Sequence, residues 1–153
     1  MDLKGLKLVP VINSADINAG VDGDSINMAK AHRATFILMF GTLVGDAVLT
    51  VNSGATDGAK TSALYFDYAL GSAAVGSASA DVLGDVTNAA SLTLTAATYS
   101  NKMLVVQVDA RAMDLANNEE WLTLAISNAA NSGICECVAI IEPRYSDGTT
   151  VLA

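Results

Sequence analysis

The sequence predicts an all-β protein: an antiparallel β-sandwich, jelly-roll-like, with an extended N-terminal arm. Three observations predict it. Eight or nine short stretches rich in aliphatic, β-branched or aromatic residues recur about every ten residues, separated by Gly/Asn/Asp/Ser turns. Several of them alternate apolar and polar residues with the period of a half-buried strand. No heptad, no internal repeat and no amphipathic helix longer than three turns competes with that pattern. Eight strands in two sheets with a long crossover fit a jelly roll, with the strand order left open. At 153 residues the chain is one domain. Residues 1–12 are expected as the arm, 13–146 as the sandwich and 147–153 as a C-terminal tail.

Taken in order, "LKLVPVI" (6–12) reads as an arm or first strand. Pro10 cannot donate a ladder hydrogen bond and so places it at an edge. "NSADINAGVDGDS" (13–25) is a loop, and "SINMAKAH" leads in as a short edge strand. Residues 34–51, "ATFILMFGTLVGDAVLTV", hold one charge, Asp46. The twelve uncharged residues between Arg33 and Asp46 fall short of the about 20 that a membrane helix needs. Thr35, Phe36, Ile37 and Phe40 favour strands, and Gly41 and Gly45 break helices. The stretch is expected to be a β-hairpin turning at "GTLVGD". Apolarity on both faces implies that one face meets the second sheet and the other a loop or another subunit.

"NSGATDGAKTS" is a turn, "ALYFDYAL" (63–70) a strand, and the Gly/Ser/Ala-rich 71–85 a long flexible loop. "ASLTLTA" alternates, with Leu92 and Leu94 inward. "KMLVVQVDA" puts Leu104, Val106 and Val108 on one face and Gln107 and Asp109 on the other. "RAMDLANNEE" is one helical turn or a loop. "WLTLAIS" alternates through Leu122, Leu124 and Ile126, "NAANSG" turns, and "ICECVAIIEP" (134–143) is the last strand, ended by Pro143. With three Phe, four Tyr and one Trp among 52% hydrophobic residues, a thin core of small side chains is expected.

Eight basic residues against sixteen acidic ones give a net charge of −8. Nucleic-acid binding relies on clustered Lys and Arg, and no cluster exists beyond Lys4/Lys7 and Lys30/Arg33, so neither nucleic acid nor an anionic membrane is expected as a partner. Asp2 and the short apolar run "LVPVI" do not make a signal peptide, so synthesis in the cytoplasm is expected.

Motifs for catalysis are missing. His32 has no nucleophile motif around it. Cys135 and Cys137 lie two apart on a strand and share a face as small core or interface side chains. "DGDS" offers Asp22 and Asp24 as weak metal candidates, but the oxygen ligands and late Glu of a calcium loop do not follow, and a β-turn accounts for it. Gly-rich segments lack the Lys and the following helix of a phosphate cradle. The chain is expected to be no enzyme and to carry no cofactor. Its apolar tails are then the natural contact residues: Leu3, Leu6, Leu8, Val9, Pro10 and Val11 at one end, Val151 and Leu152 at the other. Arm exchange around a symmetry axis fits a closed homo-oligomer.

"VPVINSADINAGVDGDSINMAKAHRATFILMFGTLVGDAVLTV", followed by "NKMLVVQVDARAMDL" and a closing "IIEPRYSD", resembles small tailed-bacteriophage capsid decoration (head auxiliary or cement) proteins. The likeness runs over about residues 8–146, through an Asn-rich loop, a Gly-Asp turn, an Ala/Tyr-rich strand, Asn-Lys before an alternating strand, and a final Arg-Tyr. Residues 71–90 stand outside it. The resemblance implies a virion protein made in the host cytoplasm, a homotrimer on the outside of the head that binds the major capsid protein and reinforces the shell. Two other readings stay open: another phage structural part (tail tube, fibre or head completion), and a carbohydrate-binding or adhesin module. Missing export signal and few aromatics weigh against the module. Copy number per virion and glycan binding discriminate between the three.

Overall fold

The computed structural model describes residues 7–127, 133–145 and 150–152. Among these, twelve antiparallel strands form two packed sheets. The first sheet runs β1 (Lys7–Asp16), β12 (Ile134–Pro143), β4 (Ala31–Phe40), β10 (Met103–Asp109), β7 (Phe66–Leu70) and β8 (Thr87–Ala89). The second runs β2 (Val21–Asp22), β11 (Trp121–Ile126), β5 (Ala47–Gly54) and β6 (Ser62–Ala63). In the second sheet β3 (Ile26–Asn27) continues beside β11, and β9 (Leu92–Leu94) beside β5. Regular helix is confined to one turn, α1 (Ala96–Tyr99), and a few 3₁₀ turns.

The two-sheet reading holds, and so does the alternation. Leu104, Val106 and Val108 of β10, Leu92 and Leu94 of β9, and Cys135, Cys137, Ala139 and Ile141 of β12 all point inward and are buried. The core is fuller than composition suggests. Phe36 and Phe66 are its largest fully buried side chains, with Leu38, Leu49, Leu104 and Leu122 around them. Small residues, among them Ala31, Ala34, Ala47 and Ala139, fill in around them.

The predicted hairpin over 34–51 is not one. β4 pairs with β10 and β12, whereas β5 pairs with β11, β6 and β9, so the chain leaves one sheet at Phe40 and enters the other at Ala47. Local chemistry explains why the turn does not close on itself. Gly41 N–H donates to the Ile134 carbonyl at 2.8 Å and its own carbonyl accepts from Asn101 N–H at 3.0 Å. Leu43 is buried and plugs the gap between the sheets, its N–H donating to Ser100 Oγ at 3.0 Å. The predicted strand over 63–70 divides the same way, into β6 in one sheet and β7 in the other. Residues 71–85 fold back by turns, with Ser72 N–H donating to the Val82 carbonyl at 2.8 Å and a single bridge between Gly71 and Leu83.

Within the described part of the expected arm, residues 7–12 are not free. They form the start of β1, in register with β12 from Lys7↔Ile141 to Ile12↔Cys137, and Val9, Val11 and Ile12 enter the core. Pro10 stands on that edge strand, where its missing donor costs nothing. Near the other end, the Val151 carbonyl accepts from Asn27 N–H at 2.7 Å and the side chain is buried against the chain's own core, with Leu152 half-buried beside it.

Candidate interaction surface

Strand pairing aligns side chains into rows across the outside of the first sheet. One row is Pro10, Val138, Ile37, Val105 and Ala69; the next is Leu8, Ile140, Thr35, Gln107 and Asp67. A third holds Glu136, Met39 and Met103. Antiparallel sheets usually turn a polar face to water. Here the centre of the outward face is apolar, with Met39 and Val138 exposed, and Leu8 is exposed at its β1 margin. Charge lies at both ends, in the row Glu142, Arg33 and Asp109 and, beyond the apolar centre, at Glu136. Arg111 donates to Asp109 from its backbone N–H at 2.9 Å, from Nε at 2.9 Å and from Nη2 at 3.1 Å. These bonds hold the Asp109 carboxyl down to about 2.

At the β7 margin the 71–86 segment comes alongside this face. Ala69 points outward there yet is buried, and Leu83 and Val86 stand beside it to form a notch of about 160 Å³ with Val105 and Gln107. The outside of the second sheet differs in kind. Its open part mixes Thr50, Asn52 and the Asp22–Lys60 ion pair at 2.6 Å with the apolar Val48 and Ala125. The rest is covered by the 55–60 loop: Thr123 Oγ1 shares a 2.7 Å hydrogen bond with Ser25 Oγ and lies 3.3 Å from the Ala59 carbonyl, while Gly58 N–H donates to Ser25 Oγ at 2.9 Å.

The residues singled out from sequence fall as follows. Leu8 and Pro10 lie on the apolar face. Val9, Val11 and Val151 are buried in the core of this same chain. Leu3 and Leu6 lie outside the described residues. Asp22 is engaged by Lys60, Asp24 is exposed, and no group of three or more His, Cys, Asp or Glu that could hold a metal occurs among the described residues. His32 is exposed at the start of β4. Cys135 and Cys137 are buried free thiols, both pushed up by burial, Cys135 to about 12. Ile37, Met39, Val105, Leu83 and Val86 were not foreseen individually. For Ile37 and Met39 the signal was the unbroken apolarity of β4, which implied a second covered face.

No protein-family model and no curated protein matches this chain.

Proposed function

We propose that this chain is a structural protein of a bacteriophage virion, which binds the outer surface of the capsid as an oligomer and stabilises the shell. One observation carries the reading beyond the sequence resemblance: one outer face of the sandwich is apolar across its centre. Contiguous apolar surface of this kind marks a protein contact, and a protein with one such side is suited to lie against others of its kind or against a shell while its other side meets water. The mechanism is mass action. A protein that binds the mature lattice in preference to its precursor stabilises that lattice by the difference in affinity. Repetition over the shell adds avidity to weak single contacts.

Purified protein is expected to co-sediment with DNA-filled heads and not with procapsids, and quantitative mass spectrometry of virions is expected to find about hundreds of copies, as a repeating lattice requires. A handful of copies per virion would assign it to a vertex or fibre. Binding to a glycan array without binding to heads would assign it to the carbohydrate-binding class.

A further inference from the structure

β4 is the middle of the five strands β1, β12, β4, β10 and β7 that build the apolar face. Leu8 lies at one margin of that face and the notch beside Ala69, Leu83 and Val86 at the other. Strand register puts Leu8 in the same transverse row as Gln107 and Asp67, which help to line the notch. A two-fold axis along β4 therefore carries Leu8 of one copy onto the notch of another, and the reverse, with no shift along the strands. From this we infer that the apolar face is covered by a second copy of this chain, the two β4 strands back to back and each Leu8 seated in the other's notch.

The inference rests on the reading that the chain works as an oligomer, and names the partner of its apolar side. The contact is isologous, so every residue that fits does so twice. β12 of one copy lies over β10 of the other, which sets Val138 and Ile140 against Val105 and Gln107. The two central rows carry one carboxylate, Asp67, which already accepts from Asn88 Nδ2 at 2.7 Å and comes under Leu8 of the other copy, while at the charged end Arg33 meets Arg33 and Glu142 meets Asp109. Size is sufficient but not generous. Five strands about 4.8 Å apart, each with about three outward residues spaced about 6.8 Å, give a face of about 24 by 20 Å. Two such faces bury about 1,000 Å², the lower bound of a specific interface. A contact of this size is at the weak end of specific interfaces.

Sedimentation equilibrium of the full chain alone tests this, over about 1 µM to about 500 µM, the range that brackets so small an interface. A monomer–dimer equilibrium is expected. Leu8→Asp and Val86→Lys sit at exposed positions, 56% and 71% accessible, so each is expected to keep the melting temperature of the parent while weakening the dimer about tenfold or more. The double variant L8D/V86K sets the new Asp of each copy against the new Lys of the other and is expected to restore pairing. Should either single variant melt early, Val138→Lys, in the central row, takes its place as the disrupting change. A monomer throughout the range, an assembly other than a dimer, or a double variant that stays monomeric would overturn the pairing. Heads that bind a monomeric protein would overturn the pairing and leave the decoration reading standing; dimers that ignore heads would do the opposite.

Discussion

Glu119 carries the sharpest test of the packing. It precedes β11, is 5% exposed, and its carboxylate accepts from Ser53 Oγ at 2.6 Å and Ser62 Oγ at 3.2 Å. One side chain thus ties the entry of β11 to β5 and β6. Glu119→Ala removes both acceptors. Ser62 is half-buried and turns to water, but Ser53 is fully buried and its hydroxyl is left without a partner. A buried unsatisfied group costs about 1–3 kcal/mol, and the emptied space adds about 1 kcal/mol. Removing a buried charge returns part of this through relieved desolvation, so a net loss of about 2 kcal/mol is expected, or about 4–8 °C in Tm for a chain of this size. Ser53→Ala takes the shorter of the two bonds from a buried carboxylate and is expected to cost a similar amount. The two losses share one interaction, so the double variant should fall short of their sum by about 1–2 kcal/mol. Urea unfolding followed by Trp121, the one tryptophan of the chain, measures all four corners of the cycle. A coupling below about 0.5 kcal/mol would refute the clamp.

Three further outcomes are expected. Gly54→Ala would place a Cβ 2.5 Å from Ala59 Cβ and 2.6 Å from its carbonyl oxygen, displacing the loop that covers Thr123; a loss of about 1–3 kcal/mol in urea is expected. Burial holds Cys135 and Cys137 as neutral thiols, so a thiol reagent at pH 8 should modify neither in the native protein and both once urea unfolds it. Asp109 should titrate by NMR near 2, and Arg111→Ala should return it towards the usual carboxylate range. Because its folded value is depressed, the small stability it contributes is whole above about pH 4 and fades as pH falls towards 2.

Much of the fold was legible because each strand of a sandwich must alternate, and alternation is a local property of sequence. β9 and β10 were readable residue by residue for that reason, and β12 at its two cysteines. Pairing is not local. Whether "GTLVGD" folds back on itself or crosses between sheets depends on Ser100, Asn101 and Ile134, which lie 57 or more residues away from their partners in sequence or on another strand altogether. The choice between arm and first strand over 6–12 stayed open for the same reason: residues 7–12 look spare until β12 is there to pair with. The candidate surface was half legible. Apolarity on both faces of β4 announced a covered outer side, but that Leu8, Ile37 and Val105 share one patch follows from a strand order no single segment encodes.

The winding of the chain between layers also dictates the order in which the molecule can be made. Of the first sheet's internal neighbours, β4 needs β10 and β12, and β1 needs β12. A nascent polypeptide emerging from the ribosome therefore holds β4 without a partner until β10 has been synthesised, and β1 until β12 has been. Ladders closed over such sequence distances form slowly, on the order of milliseconds to seconds. Throughout translation the apolar side of β4 stays open to other nascent copies, so swift release and chaperone cover, more than final stability, set how much soluble product a cell yields.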